Sequence, residues 1–382
     1  MPARSSLSVK TKLVVIQPTP FCNINCRYCY LAHRSVSRRM DFRTLEQVFK
    51  VLFSSSFIKD SLSISWHAGE PLVLPVDFYQ QAFRIQEKWN LQDIKITHSF
   101  QTNATLITQE WCDFILEHNI RIGISIDGPA YLHDAHRIDR KNRGTFEHVM
   151  RGISLLRKNN IPYTAIAVVT SDTVQHPDEF WRFFQEIQPT RLGLNPEEVE
   201  GCNERSSLHT TPGIERYKRF LQRLVALNAQ SSSPVPIREV DVLLQRIESA
   251  QMRIQTDTNT PIAILSFDYE GNISTFSPEL LSSTHPAYSN FTFGNVFHIT
   301  LEDIFAQENF LQIHSSIQKG ILKCRESCEY FSLCGGGAPS NKLHENGTFD
   351  SAETNACRLR IKVTTDVLLE YLEEHYHLTS DA

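Results

Sequence analysis

The sequence predicts an α/β protein whose larger part is a partial (β/α)6 TIM-like barrel and whose smaller C-terminal part is a cysteine-bearing α+β domain. Three observations predict it. Apolar runs and helical patterns alternate six times between residues 11 and 229, a Ser- and Pro-rich break follows at 231–236, and four cysteines gather near the C-terminal end. Such alternation implies parallel strands with right-handed crossovers. We therefore place a tail at 1–10, the barrel at 11–232 and the second domain at 233–382.

The six predicted strands are short apolar runs of the kind that form buried parallel strands. They cover 13–17, 62–67, 95–101, 120–125, 163–169 and 191–195. The helical patterns that follow them cover 43–53, 77–89, 108–117, 146–158, 177–187 and 213–229. Beyond the break, 237–254 is helical in pattern, and 262–268 with 272–276 predict a hairpin around Glu270 and Gly271.

Composition excludes several classes of protein. The 382 residues carry 38 basic and 43 acidic side chains, so the chain has no electrostatic footprint for nucleic acid. It has no run of 18 apolar residues that could span a membrane, and the tail 1–10 lacks the apolar core of a signal peptide. Seven of the nine cysteines fall in two clusters, with Cys112 and Cys202 single, which indicates metal binding rather than disulfides. We therefore expect a cytoplasmic protein.

The first cysteine cluster follows the first predicted strand directly, as Cys22-x3-Cys26-x2-Cys29. Three thiolates on one short loop can hold three corners of a [4Fe–4S] cluster, which normally takes four cysteines, so that one iron stays open. A structural zinc site is the alternative, but it would need a fourth ligand nearby. The next cysteine, Cys112, is far away in sequence.

The second cluster is Cys324-x3-Cys328-x5-Cys334, followed after 22 residues by Cys357. Four cysteines complete a fully ligated iron–sulfur cluster with no open iron. Four thiolates also make a closed structural zinc site. Spacing alone leaves these two alternatives nearly equal.

The first loop, with the aromatic Tyr28 before its last cysteine, resembles the signature of the radical S-adenosylmethionine (SAM) enzymes. The resemblance implies that the open iron chelates the amino and carboxylate groups of SAM. One electron from the cluster then cleaves SAM to a 5′-deoxyadenosyl radical. It also implies a flavodoxin- or ferredoxin-type electron donor.

Other residues that follow predicted strands resemble the SAM-binding motifs of this family. Taken singly, segments such as Gly69–Glu70–Pro71 are ordinary turns, but they occur together and in family order. The resemblance gives the SAM amino group to the backbone of Ala68, Gly69, Glu70 and Pro71, polar contacts to Thr102 and Asn103, the ribose to Ser125 beside Asp127, and the carboxylate to Arg137, with Arg140 as the second choice. A guanidinium suits that last role because its planar fork matches a carboxylate.

The C-terminal cysteines resemble the SPASM extension of peptide-modifying radical SAM enzymes, whose complete pattern has seven cysteines and two auxiliary clusters. Here Phe276 and Ala338 stand where two cysteines of the first auxiliary cluster are expected. The cysteines of the second auxiliary cluster are all present. The resemblance therefore favours iron over zinc and implies two [4Fe–4S] clusters in all, one that binds SAM and one auxiliary.

The residues around these cysteines, from 328 to 358, resemble the GrrM/OscB group of cyclophane-forming maturases. The resemblance implies a carbon–carbon crosslink between an aromatic ring and the β-carbon of a nearby residue in a ribosomal precursor peptide. The crosslinking would need a base, for which Glu279 and the acidic loop residues Glu197, Glu198 and Glu200 are candidates. The alternatives are thioether formation, oxidation of a sulfatase residue to formylglycine, or a metal-binding module without turnover.

Overall fold

A computed structural model describes residues 9–249, 252–281 and 283–376. Most of the predicted tail, residues 1–8, therefore lies outside the described part of the chain. Across the described residues no helix is both long and apolar enough to cross a bilayer.

Six parallel strands form the barrel wall in chain order. They are β1 (Leu13–Ile16), β2 (Ser61–Trp66), β3 (Lys95–Thr102), β4 (Arg121–Ser125), β5 (Tyr163–Val169) and β6 (Leu192–Pro196). Each pairs in parallel with the next, as when Val14 lies opposite Ile64. The apolar runs identified in the sequence become strands because their side chains are buried by the surrounding helices.

Amphipathic helices cover the outer face of this sheet. They are α1 (Phe42–Phe53), α2 (Val76–Trp89), α3 (Gln109–Glu117), α4 (Ala130–His136), α5 (Phe146–Lys158), α6 (Pro177–Ile187) and α7 (Thr211–Gln230). Helix α6 shows the local cause, since Pro177 occupies its first turn and its aromatic stripe, including Phe180 and Phe184, is fully buried. The sequence missed α4 because seven residues rich in His and Asp carry too short an apolar pattern.

The sheet continues beyond the barrel into the C-terminal half of the chain. Strand β7 (Ile264–Phe267) pairs in parallel with β1, and β8 (Asn272–Thr275) then pairs antiparallel with β7, which is the predicted hairpin. Strand β11 (Gly294–Asn295) pairs with β8, and β9 (Thr284–His285) with β10 (Ser289–Asn290) forms a separate ribbon. The hairpin brings residue 279 to the barrel mouth. The domain boundary between residues 232 and 233 stays a prediction.

The C-terminal part of the chain is mostly helical. Its helices are α8 (Arg238–Ser249), α9 (Glu308–Ser327), α10 (Phe331–Cys334), α11 (Pro339–Asn346), α12 (Asn355–Cys357) and α13 (Thr364–Tyr376), with a π-helical segment at Arg358–Val363 between the last two. Cys324, Cys334 and Cys357 lie on α9, α10 and α12, and Cys328 directly follows the end of α9. The predicted helix 237–254 ends earlier, because residues 252–254 are not helical. π-helical segments are frequent at functional sites, and this one follows Cys357 directly.

Candidate active site

A cavity of about 330 Å³ opens at the carboxyl ends of the six barrel strands. This is where parallel α/β folds place their working groups. The cavity brings together most of the residues singled out in the sequence: Cys22, Cys26, Tyr28, Cys29, Ala68, Gly69, Glu70, Thr102, Asn103, Ser125, Arg137, Glu197, Glu198, Glu200 and Glu279. Pro71 and Asp127 lie behind its wall.

The cysteine loop is held in place by the chain that follows β4. The backbone N–H groups of Asn25 and Arg27 donate to the carbonyls of Ile138 and His136, at 2.6 and 2.9 Å. The guanidinium of Arg140 donates to the carbonyl of Cys22 at 2.7 Å. Arg140 therefore braces the loop, whereas Arg137 reaches the cavity.

The three thiols of the loop face the cavity as free cysteines. Burial raises the pKa of Cys22, and it raises that of Cys26 to about 11. Because only thiolates bind metal, cofactor binding must displace these protons. Three free thiols around one cavity fit a cofactor that takes three cysteine ligands.

Arg137 lies 7% exposed beside the buried carboxylate of Asp127. Its Nη2 donates to Asp127 Oδ1 at 3.0 Å, and Asp127 also accepts from the Tyr28 hydroxyl and from the N–H of Val168. Although burial opposes it, the charge of Arg137 lowers the pKa of Asp127. Arg137 Nε has no hydrogen-bond partner among the described residues, which leaves a buried donor for an anionic group such as the SAM carboxylate.

Glu70 joins two strand ends and does not stand free in the cavity. Its carboxylate accepts from Thr102 Oγ1 at 2.6 Å and from the N–H groups of Asn103 and Leu72 at 2.8 and 3.0 Å. Burial raises the pKa of Glu70 to about 7. Pro71 starts a short 3-10 helix behind it. The side chain of Glu70 therefore positions the backbone of the SAM-binding motif.

Gly69 allows the loop after β2 to lie against the cysteine loop. A Cβ atom at this position would stand 2.6 Å from the carbonyl oxygens of both Phe21 and Thr19, so no other residue fits. Its neighbour Ala68 has a φ of 70°, in the left-handed region that glycine adopts freely and alanine adopts only at a cost in energy.

We expect Ala68→Gly to stabilise the protein. A left-handed conformation costs an L-residue about 1–2 kcal/mol, and glycine avoids most of that cost. The free energy of unfolding of the metal-free protein should therefore rise by about 1 kcal/mol in urea denaturation. The matched control is Ala226→Gly within α7, which should lower it by about 1 kcal/mol. A loss of stability in both variants would contradict the strain at residue 68.

The far end of the cavity is acidic, and the partners of its four glutamates distinguish the candidate bases. Glu197 accepts from the N–H and the hydroxyl of Ser207, at 2.8 and 2.5 Å, and Glu198 is held by Arg360 at 3.0 Å and by Asn341 at 2.9 Å. Within the described part of the chain, Glu200 and Glu279 form no such ion pair. Burial raises the pKa of both, and their mutual repulsion raises it further for Glu200.

A second cavity, of about 350 Å³, is lined by Cys324, Cys328, Cys334 and Cys357. Its thiols are free, and a cavity of this size holds a group much larger than one ion. Throughout the described residues, no three His, Cys, Asp or Glu side chains are gathered closely enough to hold a single metal ion. Four free thiols around such a space fit a bulky cofactor with four cysteine ligands.

The residues that replace the first auxiliary set have other surroundings. Phe276 is fully buried and packs on Phe293 and Phe310. Ala338 stands at the N-terminal end of α11. An aromatic core therefore occupies the place of the first missing ligand.

Sequence reasoning missed Arg360, which lines both cavities and so lies between the two groups of cysteines. It also missed Tyr30, which lies at the acidic end of the first cavity near Glu200 and Glu279. Burial is the main cause that raises the pKa of Tyr30, and the two carboxylates raise it further. No pattern marks Arg360 except that it comes three residues after Cys357.

Known proteins are similar to this chain in both sequence and fold. Residues 16–184 match the family model described as the radical SAM superfamily. Uncharacterized protein sll1766 of Synechocystis sp. is 43% identical over 368 residues, which cover 95% of this chain and 92% of that protein. The serine-type anaerobic sulfatase-maturating enzyme of Bacteroides thetaiotaomicron is 25% identical over 366 residues, 91% of this chain and 87% of that enzyme.

Two solved structures share the fold. Native anSMEcpe with bound AdoMet has a TM-score of 0.77 at 23% identity, covering 96% of this chain and 100% of that one. Streptococcus suis SuiB bound to precursor peptide SuiA has a TM-score of 0.62 at 15% identity, covering 91% of this chain and 76% of that one. At these identities the likeness shows the fold alone, and the predicted α/β barrel fold is confirmed.

Proposed function

Because this chain belongs to the radical SAM superfamily and is an enzyme, we propose that it joins an aromatic ring to the β-carbon of a nearby residue in a ribosomal precursor peptide. The observation that carries the proposal is one cavity that holds both the SAM-facing residues and the carboxylates Glu200 and Glu279. SuiB, a structural neighbour, is bound to a precursor peptide, which supports a peptide substrate here.

The prediction of SAM and [4Fe–4S] clusters as cofactors is confirmed, and we propose one SAM-binding and one auxiliary cluster for this chain. We assign the SAM-binding cluster to Cys22, Cys26 and Cys29, and the auxiliary cluster to Cys324, Cys328, Cys334 and Cys357. When bound, SAM and its cluster supply a 5′-deoxyadenosyl radical that removes a hydrogen atom from the substrate. The electron donor, the cytoplasmic location and the domain boundaries stay predictions.

The residues of this chain orient the reactants and move a proton. The free Nε of Arg137 would bind the SAM carboxylate, while Asp127 holds the guanidinium in place. Glu200 and Glu279 share the acidic end, and because two close carboxylates resist double ionisation, one holds a proton while the other accepts one. The ionised member takes the proton that the ring loses when it regains aromaticity.

The electron lost in the same step leaves towards the second cavity. Arg360 lines both cavities and is held by Glu198, so the two cavities share this side chain in their walls. Glu198 therefore serves to hold Arg360, and we do not count it among the two proposed catalytic bases, Glu200 and Glu279.

A second candidate is oxidation of a serine or cysteine to formylglycine. It is favoured by the sulfatase-maturating relative, which is similar to this chain over 366 residues. Against it stands Phe276 in place of a cysteine expected in the fuller set.

Mass spectrometry separates the two candidates. Co-expression with a short peptide encoded beside this chain should yield a product lighter by two hydrogens, which oxidation of serine would also give. The crosslink should then suppress fragment ions between the joined residues and leave the peptide inert to a hydrazide probe. A hydrazide adduct would identify an aldehyde and overturn the crosslink. The Cys26→Ala variant is the negative control.

A further inference from the structure

Lys342 is a buried lysine whose ammonium group contacts a cysteine of the second cavity. It lies on α11 and is 5% exposed. Its Nζ donates to the carbonyl of Gly320 at 2.8 Å and to Cys324 Sγ at 3.2 Å. None of the described ion pairs includes Lys342. Because a buried lysine is costly without an anion, this position is built to face a negative group.

The other cationic residues lining this cavity are directed elsewhere. Their partners are as follows: Arg360 pairs with Glu198, Lys362 with Glu353 at 3.1 Å, and Arg246 and Arg253 donate to the backbone carbonyls of Leu333 and Gln255, each at 2.9 Å. Among the described residues, Lys342 is therefore the cation whose donor is aimed at a thiol of this cavity. Lys362 is the useful contrast, since it lines the same cavity with its charge already neutralised.

We propose that Lys342 is a positioning residue that raises the reduction potential of the auxiliary [4Fe–4S] cluster through Cys324, an inference that rests on the proposed assignment of that cluster. A cluster with four thiolate ligands becomes more negative when it is reduced. A fixed positive charge that donates to a ligand sulfur stabilises the reduced form more than the oxidised form. The potential therefore rises.

This effect gives the proposed reaction a direction. After the substrate radical has added to the ring, the ring loses one proton and one electron to become aromatic again. The proton passes to the carboxylate pair, and the electron reduces the oxidised auxiliary cluster by one equivalent. A higher potential makes that transfer more favourable. Lys342 thus favours removal of the electron from the product side.

A redox titration followed by electron paramagnetic resonance tests the inference without measuring activity. The full chain with Cys22, Cys26 and Cys29 all changed to Ala isolates the auxiliary cluster. In this background Lys342→Met should shift the midpoint to more negative potential by at least about tenfold in the equilibrium, about 59 mV for one electron. Lys362→Met, the matched control, should shift it less, because its charge is paired. Lys342→Arg should stay near the parent value.

Other outcomes decide the question as well. If Lys342→Met does not retain iron, Lys342→Gln removes the charge but keeps a donor, and the same negative shift is expected. A midpoint that is unchanged in either neutral variant, or that moves no further than in Lys362→Met, would overturn the role of Lys342. A parent that holds zinc and gives no signal on reduction would instead overturn the cluster assignment, and the inference with it.

Discussion

Cys26→Ala should abolish formation of 5′-deoxyadenosine from SAM under reducing conditions. Cys26 is the most enclosed of the three loop thiols, at 8% exposure, and is the one towards which Arg137 points, with 4.0 Å between Arg137 Nη1 and the sulfur. With two thiolates left, the loop cannot hold a cluster that has three corners on the protein. Reconstituted iron should therefore fall from about eight to about four per chain. The iron content and the deoxyadenosine, the latter by chromatography, should be measured on the same preparation.

The matched control is Cys202→Ala. Cys202 is an exposed free thiol and lines neither thiol cavity, so its loss should leave both iron content and deoxyadenosine unchanged. A Cys26→Ala protein that kept about eight irons and full turnover would show that the loop does not hold the SAM-binding cluster. Equal loss in both variants would point to general damage by cysteine removal.

Glu279→Gln should separate radical formation from product formation. The change keeps the shape of the side chain but removes the proton acceptor, and a positioned base contributes about 10²- to 10⁴-fold. Crosslinked peptide should therefore fall by at least about a hundredfold while deoxyadenosine continues to form. Both products can be measured in the same reaction by mass spectrometry. Glu200→Gln should have a similar effect, because burial and the charge of Glu279 raise the pKa of Glu200 and we propose that the two carboxylates act as a pair.

Glu197→Gln is the control for this pair, because its carboxylate is already engaged by Ser207. Crosslinking at the parent rate in both Glu279→Gln and Glu200→Gln would remove these residues from the chemistry. A loss of deoxyadenosine equal to the loss of product would place them in SAM binding instead.

Stability of the metal-free protein gives an independent readout of Glu279. Burial and the carboxylate of Glu198 raise the pKa of Glu279 in the folded state, so folding binds a proton at pH values above the ordinary glutamate pKa. Parent stability should therefore decline as pH rises through the folded-state pKa, relative to Glu279→Gln. At pH values below the unfolded-state pKa the difference should vanish. This sign is opposite to that of Asp127, whose folded-state pKa is lowered.

Local spacing was enough to predict much of this protein. The strand β5 (Tyr163–Val169) and the helices α5 and α6 have the predicted bounds, since a buried strand or an amphipathic helix is recorded in consecutive residues. The loop Cys22–Cys29 was also visible for that reason, because its three thiols lie within eight consecutive residues. Motifs that follow consecutive parallel strands meet at one edge of the sheet, so the cavity at the barrel mouth was predictable as well.

Only the tertiary structure decided which distant side chains meet. It placed β7 on the open edge of β1, and with it Glu279 beside Glu200. It paired Glu197 with Ser207 and Glu198 with Arg360, paired Asp127 with Arg137, and aimed Lys342 at Cys324. The sequence by itself indicated the three-cysteine site, because Cys22, Cys26 and Cys29 are spaced along one short loop. The roles of single carboxylates and cations depend on packing between separate segments, such as those of Glu198 and Arg360, 162 residues apart, which no local pattern records.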